Sequence, residues 1–438
     1  MENKFYFCSV RVILKKNLSS VILIKTVMNY FIKDIKINKL FHLQGFNIPV
    51  SDEKCPHLII TGKNGSGKTI LLNAISDFLE TVKSDTDMHF TKFREFLVYW
   101  LEKKEKCTQQ AEMLQIDQQI KFYQERVDKL YGRVEIEVVN IVDVIEKYQD
   151  ENFVITFYQA DRKSKMSEPK NPTKPVYKRK GKIRETATDQ FLNFLADLKI
   201  QEALARNEKQ VSDADEIRDW FVDFETLLKQ IYQDDKLELE FNYKDYSFKI
   251  NTGGKSFKFT EMSDGFAAVL DIVADLILKM QDDKSLVRVY QKQGIVLIDE
   301  IETHLHLALQ KIIMPILTKV FPNIQFIITT HSPFVLSSMD NAIAFDLEHR
   351  EVINELTEYS YEALAEGYFG VRTEASYMEM QLNTLQELLS KKEITVSDKV
   401  TIQQLVSDFE KIPESISPLL IGRYRQIKIK YASIIKGL

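Results

Sequence analysis

The sequence predicts an α/β fold with a buried parallel sheet at its centre. Three short aliphatic runs carry this prediction, because each is followed at once by small or polar residues: 58–60, 295–298 and 326–328. Runs of this kind are typical of strands covered on both faces. The polar residues behind them should therefore meet at the carboxyl edge of one sheet.

The first run leads into a phosphate-binding pattern. The segment Gly62-Lys63-Asn64-Gly65-Ser66-Gly67-Lys68-Thr69 matches G-x-x-x-x-G-K-[ST]. Its glycines let successive N–H groups turn toward phosphate oxygens, and the helix predicted from Ile70 onward directs its positive end at the same place. We predict that 62–70 binds nucleotide, with Lys68 on the β and γ phosphates and Thr69 on Mg²⁺. A chance Gly-rich turn is the weaker alternative.

The second run delivers two carboxylates, Asp299 and Glu300. Behind a phosphate loop this is the Walker B pattern. We predict that Asp299 shares Mg²⁺ with Thr69 and that Glu300 orients the attacking water. The alternative is a strand that ends in an exposed acidic turn.

The third run ends in Thr329-Thr330-His331-Ser332-Pro333. A histidine at this place can sense a γ phosphate by hydrogen bonding, so His331 is a third catalytic candidate. A fourth segment, 260–266, opens an apolar helix with Ser263, Asp264 and Gly265. A serine and a glycine at a helix start favour anion binding, although an ordinary helix cap is equally well supported.

Together these four segments resemble ABC-type ATPase heads. Met262-Ser263-Asp264-Gly265-Phe266 is similar to the ABC signature, except that Asp264 replaces its usual first glycine. The resemblance implies that Ser263, Asp264 and Gly265 complete the ATP site of an opposite protomer, with two ATPs held between the heads of a homodimer. His331 matches the switch histidine. Gln159 is the candidate for the Q-loop glutamine that contacts Mg²⁺, with Asp161 and Arg162 as competitors.

More narrowly, the chain is similar to the soluble AAA-type branch, which includes RecF and SMC heads and the OLD family. The stretches 299–306 and 329–336 carry this likeness, which covers 28–80 and 237–346. It implies Mg²⁺-dependent ATP hydrolysis in an antiphage system such as Septu, PARIS or the retron-associated ATPases. No D-x-D pair occurs between 340 and 438, so we expect an effector nuclease on a separate protein.

We predict six regions along the chain. They are an N-terminal extension that is not native (1–27), an ATPase lobe with the phosphate loop (28–90), a helical, coiled-coil-like insertion (91–150), a strand with a basic loop and helices (151–236), a second ATPase lobe (237–350) and a helical C-terminal region (351–438). Within the insertion, apolar residues at steps of three and four form a seam, which suits either a projecting coiled coil or a helix packed on its own domain.

The segment Arg162–Arg184 is strongly basic and contains proline. It is either a nucleic-acid contact or a solvated surface loop, and the sequence leaves both open. The formal net charge of −5 argues against a wholly basic nucleic-acid binder. Three scattered cysteines suit reduced cytoplasmic thiols rather than a disulfide framework or a zinc site.

Two other functions stay open at this point. One is a DNA-repair or DNA-end-binding ATPase of the RecF or SMC kind. The other is a scaffold that binds ATP with little turnover and uses the nucleotide as an assembly switch. A transporter subunit is less favoured, because a long insertion separates the phosphate loop from the signature.

Overall fold

The computed structural model of the chain describes residues 30–51, 56–84, 89–162, 166–169, 181–281, 290, 292–339, 341–353, 374–391, 393–411 and 418–436. Its strands are β1 (Ile32–Leu40), β2 (Leu43–Pro49), β3 (His57–Thr61), β4 (Val134–Val138), β5 (Phe153–Tyr158), β6 (Glu238–Asn242), β7 (Ser247–Thr252), β8 (Lys255–Lys258), β9 (Gln293–Ile298), β10 (Ile324–Thr329), β11 (Ala342–Asp346) and β12 (Glu351–Ile353).

The helices of the same residues are α1 (Lys68–Ser84), α2 (Phe93–Lys106), α3 (Gln110–Tyr131), α4 (Ile141–Gln149), α5 (Phe191–Asn207), α6 (Val211–Tyr232), α7 (Asp264–Lys279), α8 (Leu307–Val320), α9 (Pro333–Leu336), α10 (Glu374–Ser390), α11 (Val396–Glu410), α12 (Pro418–Lys430) and α13 (Ala432–Lys436). None of them combines the length and the apolar composition needed to cross a bilayer.

The largest sheet has six strands in the order β12-β11-β3-β10-β9-β5. The strands run parallel, except that β12 pairs antiparallel with β11. The predicted mixed α/β fold with a buried parallel sheet is therefore confirmed. The register pairs Ile60 with Thr329 and Ile298 with both Ile328 and Tyr158. The loops after β3, β5, β9 and β10 consequently leave from one edge of the sheet.

The sheet separates two apolar cores, because successive strand residues face opposite sides. Ile59, Val296 and Ile328 belong to a core that also contains residues of α5 to α8. Ile60 and Leu297 belong to a second core with α1 and the strands β1, β2 and β4. Burial on both sides is the reason that these strands carry consecutive apolar residues rather than alternating apolar and polar ones.

A smaller antiparallel sheet has the order β2-β1-β4. The strands predicted between Phe31 and Val50 are present as β1 and β2. The region 91–150, which the sequence predicts as a helical insertion, differs: between the helices α3 and α4 it contains the strand β4, which pairs with β1. Val134, Ile136 and Val138 are buried in this strand between more exposed glutamates. The five-residue alternation is too short to stand out beside long helical neighbours.

Helices α2 and α3 pack antiparallel through a three-residue connection. Phe96 near the start of α2 contacts Tyr123 late in α3, with ring centroids 5.3 Å apart. Lys104 pairs with Asp117 at 2.8 Å near the turn. The predicted seam faces inward, and Ile116 and Leu130 are its fully buried members. The pair is thus two helices of one chain folded back on each other.

The region 237–259 differs from the single hairpin that its alternation suggests. It forms three antiparallel strands, β6-β7-β8, with two turns. Asn251 and Thr252, which we predicted in the turn, lie in β7, and the tight turn is made by Gly253 and Gly254 at φ +55° and +73°. A second turn at 243–246 divides the first strand from the second.

The C-terminal helices α10 to α13 share an apolar core of their own, with Leu382, Leu385 and Ile402 fully buried. Within the C-terminal region the sequence predicts helices over 361–367, 374–392 and 397–410; α10 and α11 match the last two, and α12 was not predicted. Three further predictions fall outside the described residues: the extension 1–27, the helix 361–367, and most of the basic segment, namely 163–165 and 170–180.

Candidate functional site

The loop between β3 and α1 has the backbone that its glycines predict. Gly62, Gly65 and Gly67 have φ values of +134°, +83° and +102°, which L side chains rarely adopt. A Cβ atom on Gly62 would lie 2.9 Å from Ser66 Oγ, and one on Gly67 would lie 2.9 Å from Leu43 Cδ1. The conformation and the space both require glycine at these two positions.

Lys68, the first residue of α1, is 5% exposed. Its Nζ donates to the carbonyl oxygens of Gly62 at 2.8 Å and Lys63 at 3.1 Å, which holds the ammonium inside the loop. Burial lowers the pKa of Lys68, and the nearby carboxylates of Glu300, Glu302, Asp299 and Asp346 oppose this shift. The loop therefore presents a fixed positive charge at its centre.

Asp299 follows the last residue of β9 and is buried. Its Oδ1 accepts hydrogen bonds from Thr69 Oγ1 at 3.2 Å and from Thr329 Oγ1 at 2.6 Å. Thr69 is the second residue of α1, whereas Thr329 ends β10. One carboxylate oxygen thus connects α1, the turn after β9 and the end of β10, and Thr69 and Asp299 are 230 residues apart along the chain. The structure therefore brings Thr69 and Asp299, which we predict to share Mg²⁺, within hydrogen-bonding distance.

Glu300 has the left-handed backbone angle φ +44°, which is uncommon for a residue with a side chain. Its N–H donates to Thr329 Oγ1 at 2.7 Å. Thr303 Oγ1 lies 3.4 Å from Glu300 Oε2 and donates to it. The carboxylate is only half-buried, so water can reach it beside the phosphate loop.

His331 lies directly behind β10 and its Nδ1 is 3.5 Å from Lys68 Nζ. Burial and the charge of Lys68 lower the pKa of His331. Its backbone N–H donates to the Glu302 carboxylate, which also accepts from Thr330 Oγ1 at 2.8 Å. Burial raises the pKa of Glu302. The histidine segment and the acidic segment after β9 are therefore joined by a buried carboxylate.

Gln159 is exposed and follows β5, whose last residue pairs with Ile298 next to Asp299. Its position suits the predicted Mg²⁺ contact, although its side chain makes no hydrogen bond to Asp299 among the described contacts. Arg162, three residues later, has a buried guanidinium that donates to backbone carbonyl oxygens of Gln159, Asp299, Glu300 and Ile301. It is therefore unavailable as a nucleic-acid contact. Arg184, at the other end of the basic segment, donates to Asp77 at 3.1 Å.

The signature-like residues stand apart from the phosphate loop of their own chain. Ser263 and Asp264 are exposed at the start of α7, whereas Gly265 is buried. A Cβ on Gly265 would lie 2.8 Å from the carbonyl oxygen of His304. This glycine is required for close packing between α7 and the segment after Walker B. Among the described contacts, none joins Ser263 or Asp264 to the loop 62–67.

The remaining predicted contacts line the loop itself. Lys63 is exposed and forms an ion pair with Glu348 at 2.7 Å, which places a turn after β11 beside the loop. Asn64 and Gly65 are exposed, and Ile70 is half-buried. Ser66 Oγ is buried with no hydrogen-bond partner among the described residues. Its backbone carbonyl is 3.0 Å from the ring Nε2 of His42 in the β1–β2 turn.

These groups fit a nucleotide phosphate with its cation. A buried ammonium, a glycine loop with φ above zero and an unpartnered serine hydroxyl form a cradle for anionic oxygens. Thr69 and Asp299 supply the hydroxyl and carboxylate oxygens that Mg²⁺ prefers. Lys68 and the loop would hold the phosphates, and Thr69 and Asp299 would hold the metal.

Comparison with known proteins agrees with this geometry. A protein-family profile described as "AAA domain, putative AbiEii toxin, Type IV TA system" matches residues 167–337, which include the signature, Walker B and the histidine. The fold is that of an ABC-type P-loop ATPase head. The phosphate loop of this head lies outside the matched residues, so its assignment rests on the motif and the geometry above.

The chain is similar in part to retron and Septu proteins. The chain is 36% identical over 113 residues to "Retron Vc95 probable ATPase" from Vibrio cholerae serotype O1 biovar El Tor, covering 26% of this chain and 21% of the relative. It is 39% identical over 95 residues to "Septu protein PtuA" from Bacillus mycoides (strain KBAB4), covering 22% of this chain and 13% of the relative. The matched segments therefore span about a fifth or less of these relatives.

Two solved structures show low sequence identity to the chain. "Crystal structure of the SmcHead bound to the C-winged helix domain of ScpA" is 14% identical and covers 72% of this chain and 93% of that one, with a TM-score of 0.35. "Crystal structure of Stu0660 of Streptococcus thermophilus" is 11% identical and covers 86% and 94%, with a TM-score of 0.29.

Sequence reasoning missed three residues of the site. Thr329 and Glu302 lie within the predicted motifs without an assigned role, and Asp346, which is fully buried beside Gly62, lies outside those motifs. A hydroxyl directly after an aliphatic strand and a second glutamate two residues after Glu300 were the available signals. Asp346 offered none, because its place depends on the pairing of β11 with β3.

Proposed function

We propose that the chain binds MgATP and hydrolyses it to ADP and phosphate. One observation carries the proposal: Asp299 Oδ1 accepts hydrogen bonds from Thr69 of the phosphate loop and from Thr329 of the neighbouring strand. This contact unites the phosphate loop, the Walker B carboxylates and the histidine segment at one edge of the sheet, as phosphoryl transfer by positioning requires.

Each residue then has a role. Lys68 and the N–H groups of 62–70 bind the phosphates, and Thr69, Asp299 and Gln159 hold Mg²⁺, which supplies charge neutralisation when bound. Glu300 orients the attacking water, since its carboxylate is exposed enough to reach solvent and its backbone is held on both sides. His331, whose Nδ1 lies 3.5 Å from Lys68 Nζ, would hydrogen-bond the γ phosphate.

The active unit in this proposal is a homodimer with two ATPs between its heads. Its support is the separation of Ser263 and Asp264 from the phosphate loop of their own chain, together with their exposure at the start of α7. The N-terminus of this 16-residue helix can bind a phosphate from outside the chain. Ser263, Asp264 and Gly265 would complete the neighbour's site.

In the cell, we propose that the head is the sensor or assembly ATPase of a cytoplasmic antiphage system that works with a separate effector nuclease. The names of the retron and Septu relatives support a defence role. A DNA-repair or end-binding ATPase is the second candidate, and the basic segment favours it. A salt-dependent duplex affinity abolished by neutralising Lys178, Arg179 and Lys180 would select that candidate.

ATP hydrolysis and oligomeric mass of Lys68→Ala and Glu300→Gln test the proposal. We expect both variants to lose nearly all hydrolysis, and Glu300→Gln with ATP to accumulate as a dimer or larger assembly, because nucleotide binding persists while turnover is very slow. Lys121→Ala, on the exposed face of α3, is the matched control and should behave as wild type.

Two outcomes would reject the enzymatic proposal. If the wild-type chain with its encoded neighbours hydrolyses no ATP, the head is a scaffold that uses nucleotide as an assembly switch. If neither substitution changes the ATP turnover or the oligomeric mass, the measured activity does not arise at this site.

A further inference from the structure

The guanidinium of Arg162 lies beneath the turn that carries Asp299 and Glu300. Its Nη1 donates to the carbonyl oxygen of Asp299 at 2.9 Å, and its Nη2 donates to those of Glu300 at 3.2 Å and Ile301 at 3.4 Å. A fourth hydrogen bond, from Nη1 to the carbonyl oxygen of Gln159 at 3.1 Å, joins Arg162 to the start of the loop in which it lies. One side chain thus binds three successive carbonyls of the acidic segment.

These carbonyls need donors because the strand has ended. The strand β9 ends at Ile298. Beyond it the N–H groups of Asp299 and Ile301 still donate to backbone carbonyls of β5 and β10, whereas the carbonyls of 299–301 accept from Arg162, which lies in the loop after β5. The planar guanidinium can donate to adjacent carbonyl oxygens from separate nitrogen atoms, whereas all the donors of a lysine ammonium are on one nitrogen.

The backbone at Glu300 requires support. A residue with a side chain in the left-handed region is strained and persists only where its surroundings hold it. Thr329 Oγ1 accepts from the N–H of Glu300 at 2.7 Å, and Arg162 Nη2 binds its carbonyl oxygen. The two peptide groups that flank the Glu300 Cα are therefore fixed from opposite directions, which determines where its carboxylate points.

A buried cation is tolerated here because acidic side chains surround it. Burial lowers the pKa of Arg162, and Glu302, Asp271, Asp299 and Glu300 raise it again. The cation in turn offsets the repulsion among the carboxylates that gather after β9. Arg162 therefore acts on the acidic segment both through hydrogen bonds to its backbone and through charge.

We propose that Arg162 is a positioning residue for hydrolysis, which holds the left-handed peptide of Glu300 so that its carboxylate is aligned with the attacking water. The inference rests on the proposed ATPase function. It predicts a role in turnover and not in nucleotide affinity, because Arg162 contacts carbonyl oxygens of the acidic segment and not the phosphate loop.

The test compares Arg162→Lys and Arg162→Gln with a matched surface control, Arg133→Lys, which replaces an exposed arginine paired with Asp77. Measured quantities are kcat, KM for ATP, affinity for a fluorescent ATP analogue and melting temperature. We expect kcat to fall about 10- to 100-fold in Arg162→Gln and less in Arg162→Lys, with KM and analogue affinity within about threefold of wild type. Arg133→Lys should match wild type.

A second measurement separates positioning from general support. In a Glu300→Gln background, adding Arg162→Gln should lower the residual hydrolysis no further, because Arg162 acts through Glu300. Three results would overturn the inference. They are additive losses in the double variant, a rise in KM with unchanged kcat, and a loss of analogue binding together with a lower melting temperature in both Arg162 variants. An inactive wild-type chain would instead reject the underlying ATPase proposal.

Discussion

At the residue scale, Thr329 connects the two carboxylates of the site. Its hydroxyl donates to Asp299 at 2.6 Å and accepts from the N–H of Glu300 at 2.7 Å. A single oxygen therefore orients the proposed metal ligand and holds the left-handed peptide of the proposed water-orienting residue. Since both bonds are buried or partly buried, their loss leaves groups that water cannot fully satisfy.

We expect Thr329→Val, which keeps the shape of the side chain but removes its hydroxyl, to lower ATP turnover roughly 10-fold or more. The Mg²⁺ concentration for half-maximal activity should rise as well, because Asp299 loses an orienting donor. Thr329→Ser keeps the hydroxyl and should stay within about threefold of wild type. Equal activity of the valine and serine variants would show that the hydroxyl has no role.

His57, at the start of β3, gives the fold a pH dependence. Burial lowers its pKa to about 4, and its Nδ1 accepts a hydrogen bond from Phe326 N at 3.1 Å. Because the folded-state pKa lies below the unfolded value, the unfolded chain binds protons more tightly. Its contribution to stability is complete above about pH 6.5 and declines by about 3 kcal/mol as the pH falls to about 4.

Chemical denaturation between pH 7 and pH 4 measures this contribution. His57→Asn retains an acceptor near the Nδ1 position and removes the titration, so its free energy of unfolding should vary less over that interval. His306→Asn, at an exposed position, should keep the wild-type dependence. A parallel pH curve for His57→Asn and wild type would contradict the prediction.

At the element scale, the site depends on how closely helices approach the edge of the sheet. Helix α7 begins at Asp264 and packs its second residue, Gly265, against the backbone of His304. The same helix is tied to β5 through Asp275, which is fully buried and accepts from Tyr158 at 2.7 Å and from Lys279 at 2.6 Å. The signature-like helix and the acidic segment are thereby fixed relative to each other.

Two glycine-to-alanine substitutions separate the effect of close backbone packing from the effect of helix propensity. Gly265→Ala places a Cβ 2.8 Å from a backbone oxygen, so we expect it to destabilise the head by about 1 to 3 kcal/mol and to impair turnover. Gly422→Ala, in α12 with open space around it, should instead stabilise its helix by up to about 1 kcal/mol. Thermal unfolding and ATPase assays compare them. A harmless Gly265→Ala would contradict the packing argument.

At the scale of the whole molecule, the proposed site is shared between two chains. If Ser263 of one chain completes the phosphate loop of the other, defects in the two halves should complement each other. Lys68→Ala removes the loop's cation and leaves the signature intact, whereas Ser263→Arg does the reverse. A mixed dimer would then contain one complete site.

Mixing inactive Lys68→Ala and Ser263→Arg chains in equal amounts should restore about a quarter of wild-type hydrolysis, because half of the random dimers carry one complete site of two. Each variant alone should remain inactive. Mixtures of either variant with itself provide the baseline. Absence of recovery, with mixed dimers demonstrated by mass, would contradict a site that is completed in trans.

Much of this architecture followed from the sequence because its signals are local. A loop with three glycines favours positive φ, and a strand covered on both faces carries consecutive apolar residues, so the phosphate loop and β3, β5, β9 and β10 were predictable. Strand β4 was not, since its five residues gain their partner from β1, about 100 residues earlier. For the same reason, the turn between β7 and β8 lies later than the sequence predicts. Strand pairing, and not composition, decides which residues extend a strand.

The sequence by itself determined the parallel sheet, the phosphate loop and the chemical identities of Lys68, Thr69, Asp299, Glu300 and His331, because each belongs to a short segment whose backbone and chemistry are set by neighbours along the chain. Only the tertiary structure decided that Thr329 bridges Asp299 and Glu300 and that Arg162 is turned inward onto their backbone. Those contacts depend on strand order and register, through which residues far apart in sequence reach hydrogen-bonding distance.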